Sequence, residues 1–355
     1  MGIGRFAFTP LLPMMQADAG VTLAQGGWLA SANYAGYLAG ALWAALRPLP
    51  AGRAIRLGLA AIALTTLAMG VVQAFPAWLA LRCASGVASA WVLVHVSGWA
   101  LARLVPLGRP VLTGIVYAGV GSGVALAGAC CAALLLVSAG SRTAWLVLGA
   151  LAVLLSVPAW RAAHDAREPV QASGQGSRGA PWDIVACYAV SGFGYIVPAT
   201  YLPVLAREAL GGDASFTWAW PVFGLAAAGS TLAVAPVLAY LSHRRVWSLC
   251  HLLMAAGVIA PLVVPGLAGV LAAALCVGST FVVSTMTGLQ EGRRLAGTGA
   301  LAPMTAAFSG GQVLGPLASN ALLHAGATLY ASLAVAGALL AATALYLYVT
   351  HPEPS

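Results

Sequence analysis

Residues 112–137 read LTGIVYAGVGSGVALAGACCAALLLV, with no Asp, Glu, Lys, Arg or His among them. A helix rises about 1.5 Å per residue, so this run is long enough to cross a hydrocarbon core of about 30 Å. Its Gly-Val-Gly-Ser-Gly segment (119–123) has the look of a phosphate-cradling loop. No strand pattern precedes it and the apolar run continues on both sides, so that reading fails its context. Working outward, similar runs recur, and the sequence predicts spans at about 1–16, 25–45, 57–75, 77–101, 112–137, 144–160, 183–205, 217–241, 246–264, 267–289, 299–323 and 327–349.

Composition agrees. Hydrophobic residues make up 61% of the 355 positions and charged residues 7%, against roughly 45–50% and about 25% in a soluble domain. All 16 basic residues are Arg, against 8 acids, for a net charge of +8. They fall singly or in pairs between apolar runs, which excludes the clustered patch of a nucleic-acid binder. The alternating polarity of a β-barrel is missing. The fold class is therefore an all-α polytopic membrane protein, with the lipid bilayer as its main surroundings. The six cysteines lie inside apolar runs and read as small buried hydrophobes, with no disulfide framework, metal site or cofactor expected. The N-terminus lacks the pattern of a cleavable signal peptide.

The arginines give a topology. Assigning alternate connections to opposite sides puts Arg47, Arg53, Arg56, Arg103, Arg109, Arg161, Arg167, Arg178, Arg244, Arg245, Arg293 and Arg294 on one side. The other holds Arg142 and Arg207, with Asp18, Glu208 and Asp213. This asymmetry predicts that the arginine-rich side is cytoplasmic, including a Gly/Ser/Gln-rich linker at 161–182 and a tail at 350–355. The linker divides an N-terminal six-helix half (1–160) from a C-terminal one (183–349). The first span is short: Met1 to Gln16 makes about 24 Å of helix and includes Arg5, Pro10 and Pro13. That shortfall predicts about ten further apolar residues upstream, which an in-frame upstream start codon would reveal.

The halves repeat. A shift of 190 residues carries Gly2, Gly4, Leu12 and Pro13 onto Gly192, Gly194, Leu202 and Pro203, and Trp28 onto Trp218. Thr113-Gly114 and Thr298-Gly299 open corresponding spans. Six spans separate the copies, so both have the same orientation, the parallel arrangement of major facilitator halves. The motifs carry a more specific resemblance. Gly-Ile-Gly-Arg-Phe-Ala-Phe-Thr-Pro-Leu-Leu-Pro-Met-Met (2–15) resembles the first-helix signature of the YbfB/YjiJ-type branch of the major facilitator superfamily. Residues 23–42 resemble its second helix, and Arg82-Cys-Ala-Ser-Gly86 its fourth-helix motif. The resemblance spans nearly the whole chain. It implies a twelve-helix bacterial inner-membrane transporter that functions as a monomer. Two departures stand out. The family's first helix normally begins earlier. The stretch Arg47-Pro-Leu-Pro-Ala-Gly-Arg53-Ala-Ile-Arg56 also lacks the acid of the superfamily's loop between helices 2 and 3.

Candidate chemistry centres on buried cations. Arg5 is about 18 Å from the outer end of its span, near the bilayer centre. Lipid exposure there would cost at least about 2.5–3.5 kcal/mol, so Arg5 is expected to face the bundle interior. Arg82 lies about 9 Å below the outer surface. Two guanidiniums at one cavity suit bidentate capture of a carboxylate or phosphate. The structural alternative is that each caps backbone carbonyls freed by Pro and Gly. Asn33 and Tyr37, Trp91, and Gln312 are the further substrate-binding candidates, within a polar set that includes Tyr34, Ser191, Tyr195, Thr280, Ser284 and Thr287. Interhelical hydrogen bonding explains any one of them equally well. No acid falls in the middle of a predicted span, which leaves His95 as the candidate proton relay beside a simpler reading as a packed core histidine. His251 and His324 lie nearer span ends. Gly119, Gly123, Gly311, Gly315 and Pro316 are expected to give close, smooth packing on which the halves rock.

Three function classes compete. The first is a secondary transporter of small organic anions working by alternating access. The second is an exporter of amphipathic or cationic compounds, which an embedded acid would favour. The third is a non-transporting sensor or scaffold, which usually carries a soluble domain. An enzyme is not expected, since the predicted spans show no nucleophile–base, metal or paired-carboxylate constellation.

Overall fold

The computed structural model describes residues 1–46, 49–104, 110–163, 181–209 and 217–350. The first half comprises α1 (Gly2–Phe6), α2 (Phe8–Asp18), α3 (Leu23–Leu46), α4 (Ala51–Val71), α5 (Phe75–Leu104), α6 (Pro110–Leu136) and α7 (Ser141–Ala162). The second comprises α8 (Trp182–Ala209), α9 (Ala219–Val237), α10 (His243–Val263), α11 (Leu267–Ala296), α12 (Leu301–His324) and α13 (Leu329–Val349). Counting the broken pair α1–α2 as one, six spans form each half. Among the described residues nine helices are long and apolar enough by themselves to cross a membrane. The others are α1–α2, which is short and split, and α3 and α12, which carry Gln25, Ser31 and Asn33, and Ser309, Gln312 and Asn320. Most of the expected linker, the tail beyond residue 350, Arg47, Arg109, Arg167, Arg178 and Asp213 lie outside the described residues.

Several boundaries differ from the sequence expectation. The helices α5 and α11 each run for 30 residues, past the expected ends at 101 and 289. Arg103, Glu291, Arg293 and Arg294 therefore belong to terminal helical turns and not to connections. The stop for α11 is Gly297, whose φ of +65° is the left-handed conformation that suits glycine. At the start of α10, Ser242 accepts the Arg245 backbone N–H at 3.3 Å, which places Arg244 and Arg245 in the first turn.

The packing repeats with the sequence. In the first half α3 packs on α5, α4 on α5 and α7, and α1 on α6. In the second α9 packs on α11, α10 on α11 and α13, and α8 on α12. A shift of six spans maps each pair onto its counterpart. The glycines recognised by the 190-residue offset follow suit: Gly2 lies against α6 at Val120 and Gly123, and Gly192 against α12 at Phe308. Missing side chains let these helices touch at the backbone. A Cβ on Gly36 would fall on the Cys83 carbonyl, and one on Gly86 on the Asn33 carbonyl.

The halves meet where α6 packs on α9, α3 on α12 and α2 on α8. Gly114, Gly121 and Gly128, spaced by seven, form one face of α6 against Thr231, Ala228 and Pro221, and Gly224 of α9 answers against Ala125. This corrects the expected assignment. Gly119 points off that face, with nothing within 4 Å of a built Cβ. Gly123 packs on Gly2 inside the first half, and Gly311 and Gly315 pack on Ala189 and Ile196 of α8 inside the second. Pro316, also on α12, is buried. The contrast is testable by unfolding in detergent. Gly121→Ala should cost about 1–3 kcal/mol through overpacking, whereas Gly119→Ala should be neutral or stabilise by up to about 1 kcal/mol.

Polar ties between the halves run from mid-depth towards the end opposite the arginine-rich turns. Thr9 Oγ1 donates to the Ala199 carbonyl at 3.0 Å, which Pro203 deprives of its usual helical donor. The Tyr34 hydroxyl meets Thr200 Oγ1 at 3.2 Å. Ser31 donates to Val313 at 3.3 Å, Asn320 to Ala24 at 3.0 Å and Arg207 to Pro13 at 2.7 Å, all to backbone carbonyls. Trp28 and Trp218 are exposed at this same end, where aromatic rings suit the membrane interface.

Candidate functional site

The site begins with the break in the first span. Pro10 has no N–H for the Phe6 carbonyl and Pro13 none for Thr9, and α1 gives way to α2 at Ala7. Arg82 holds the backbone ahead of the break. Its Nη1 donates to the Gly4 carbonyl at 3.2 Å and its Nη2 to the Arg5 carbonyl at 3.1 Å. Ser85 adds a bond to Gly4 at 2.8 Å. The Arg82 guanidinium carbon lies 4.8 Å from the centre of the Phe8 ring, and the Asn33 amide donates to the Arg82 carbonyl at 2.9 Å. In this arrangement Arg82 caps carbonyls, and with Asn33 it forms a layer that positions α1.

Arg5 faces the other way, into the junction of the halves, and is only 4% exposed. Its Nη2 donates to Oε1 of Gln312, which lies half-way along α12. Arginine is donor-only, so the Gln312 amide nitrogen must point away, and it donates to the Tyr195 hydroxyl. The Arg5 guanidinium carbon lies 4.1 Å from the Tyr37 ring centre and 5.3 Å from those of Tyr34 and Phe6. The Tyr195 ring stacks on Phe281 at 5.1 Å and Phe308 at 5.7 Å. Among the described residues no carboxylate forms an ion pair with Arg5. The outcome is a cation at mid-depth, bonded to a neutral amide and walled by aromatic rings from both halves.

Of the sequence candidates, Arg5, Tyr37 and Gln312 come together, joined by Tyr34 and Tyr195. Trp91 does not join them. It lies about 13 Å below Arg82 along α5, packs against Trp43 at 6.3 Å, and accepts the His95 Nδ1 bond on its carbonyl at 2.9 Å. Thr280 and Thr287 bond to carbonyls of their own helix. Among the described residues no three His, Cys, Asp or Glu side chains are grouped to hold a metal ion.

Two polar clusters went unread in the sequence. His251 is fully buried. Its Nε2 takes the Trp247 indole N–H at 3.0 Å and meets Ser191 Oγ at 2.6 Å, and its Nδ1 meets Thr343 Oγ1 at 2.8 Å. The indole N–H also reaches Ser191 Oγ at 3.0 Å, so Trp247, Ser191 and His251 form one bonded group. The residue beyond Nδ1 is a threonine and not a carboxylate, so the cluster ties α8, α10 and α13 together and does not form a nucleophile–base triad. The second cluster lies at the arginine-rich end. Glu291, 1% exposed, pairs with Arg294 through two bonds of 2.8 Å and with Arg244 at 3.5 Å. Arg244 also donates to the Leu347 carbonyl at 3.1 Å and Thr350 Oγ1 at 2.8 Å, closing the end of α13. Glu291→Gln should destabilise by about 1–2 kcal/mol, since the amide keeps an acceptor while the charge partner is lost; chemical unfolding would measure it.

Comparisons with known proteins agree with the fold. A crystal structure of the nucleoside transporter NupG, determined as a point mutant, superposes with a TM-score of 0.73 over 98% of this chain and 97% of that one, at 13% sequence identity. The family described as "uncharacterised MFS-type transporter YbfB" matches residues 1–347. No curated protein sequence matches the chain.

Proposed function

The chain belongs to the YbfB-type family of major facilitator transporters, and on that premise we propose that it carries a small organic anion across the bacterial inner membrane by alternating access. The observation behind this reading is Arg5, a buried cation between the halves whose terminal amine bonds to the neutral Gln312 amide. A charge without an opposite charge is costly at low dielectric, and a carboxylate or phosphate supplies what is lacking, with two oxygens for the guanidinium fork. Tyr37, Tyr195, Phe281 and Phe308 offer ring surface to an apolar body. Arg82 enters only as the residue that positions Arg5. Ties at the sparsely charged end support a state closed outward, with the arginine-rich turns, linker and C-terminus cytoplasmic. A monomer suffices for this mechanism, since both halves of the site lie in one chain.

A neutral planar solute is the second reading. The ring wall favours it, and NupG is a nucleoside transporter of the same fold. An exporter of cations is disfavoured by Arg5 itself. A thermal-shift screen of the full-length protein in detergent separates these readings, with panels of aromatic and aliphatic carboxylates, phosphate esters, nucleosides, amines and hydrophobic drugs. Saturation to 100 times the dissociation constant adds about 2.7 kcal/mol. Stabilisation confined to anions supports the proposal. Stabilisation confined to nucleosides or amines replaces it.

A further inference from the structure

We infer that the Arg5–Gln312 bond is a tie released by the transported anion, and that the protein consequently works as an anion exchanger. This rests on the anion reading above. Arg5 belongs to the first half and Gln312 to the second, so their bond joins the halves at the deepest point of the outward closure. Above it the ties pair hydroxyl, amide or guanidinium donors with neutral acceptors. Those exposed on opening can be taken over by water. Arg5 differs, because it lies at mid-depth and 4% exposed, with the Tyr37 hydroxyl as the further acceptor on its own half.

Opening towards the outside separates Arg5 from Gln312 and leaves the guanidinium only the neutral Tyr37 hydroxyl of its own half beside the aromatic rings. An anion on Arg5 competes directly with Gln312 Oε1 for the same Nη2 donor, and once bound it moves with the first half as a replacement partner. The Gln312 amide then keeps its bond to the Tyr195 hydroxyl within its own half. The loaded carrier thus gives up the tie at little cost, and the unloaded carrier does not. A cycle in which only the loaded form reorients exchanges one anion for another. His251 does not supply the missing release, since it bonds to Ser191, Trp247 and Thr343 within the second half. Gln312 is accordingly a positioning residue that sets the coupling.

The test uses full-length protein in lipid nanodiscs, with spin labels on Ala19→Cys and Ala325→Cys, one at the outer end of each half, in a background with the six native cysteines replaced. Without added anion the labels should report one short distance. Benzoate should add a longer one, and Gln312→Ala should show the longer distance without benzoate. An unchanged short distance in Gln312→Ala overturns the tie while leaving anion stabilisation through Arg5 standing. A longer distance in Gln312→Ala, with no response of the wild type to benzoate or phosphate, overturns release by anions. In proteoliposomes, labelled benzenesulfonate should enter at least about tenfold faster when the lumen is preloaded with unlabelled benzenesulfonate, the ratio set by one charge-assisted hydrogen bond. Gln312→Ala should bring the two rates together by raising entry into empty vesicles. Equal wild-type rates overturn exchange, and no entry under either condition counts against the anion reading itself.

Discussion

Arg5→Gln is expected to abolish stabilisation by carboxylates while leaving the protein folded. The side chain contributes hydrogen bonds to Gln312 and Tyr37 and ring contacts, and the replacement amide can still donate into that position. What disappears is the charge. A charge-assisted hydrogen bond contributes about 1.5–3 kcal/mol, so affinity for an anionic ligand should fall roughly 10- to 100-fold. Arg5→Lys restores the charge without the planar fork and should recover only part of the affinity. Anion-induced thermal shifts measured in parallel on the three proteins decide the matter. Full stabilisation of Arg5→Gln by carboxylates would remove Arg5 from the binding site.

Arg82→Gln should behave in the opposite manner, with a large loss of stability and no change in ligand preference. Arg82 is 2% exposed and donates to two backbone carbonyls beside the break between α1 and α2. A shorter side chain cannot reach both, and the Arg5 carbonyl then lacks the donor it has now. The expected cost is about 3 kcal/mol, from two bonds to a charged donor partly replaced by one neutral bond. Ser85→Ala, which removes the second donor on Gly4, should cost about 1 kcal/mol. Urea unfolding in mild detergent gives the stabilities, and the ligand panel gives the preference. A stable Arg82→Gln protein that no longer responds to anions would return Arg82 to the substrate.

These two arginines illustrate what the sequence could and could not reveal. Span number, the six-plus-six repeat and the depth of Arg5 follow from apolar run lengths and from glycines and prolines recurring at a 190-residue offset, because helix length and bilayer thickness fix them. The pairing of Arg5 with Gln312, more than 300 residues apart, depends on how the halves dock, and no local pattern encodes that. Arg82 looked equivalent to Arg5 in composition. Only the placement of the Gly4 and Arg5 carbonyls separates capping from binding. Arg293 and Arg294 suggest a charged connection beyond residue 289, yet the helix continues to Ala296, stops at Gly297 and buries the Glu291 carboxylate. Gly119 stands out in the sequence only by its place in a glycine run. The seven-residue spacing of Gly114, Gly121 and Gly128 was the better signal, because it keeps one helical face turned to α9.

Transport itself tests the central claim most directly. Wild-type and Arg5→Gln proteins would be reconstituted side by side in liposomes preloaded with unlabelled benzenesulfonate, a permanently charged aromatic anion that crosses bilayers poorly unaided. Entry of labelled benzenesulfonate would be compared with entry of uridine and of tetraphenylphosphonium. The account predicts saturable benzenesulfonate entry through the wild type, competed by benzoate and lost in Arg5→Gln, with neither of the other solutes carried. Saturable entry of uridine or tetraphenylphosphonium that survives Arg5→Gln, without benzenesulfonate entry, would contradict it.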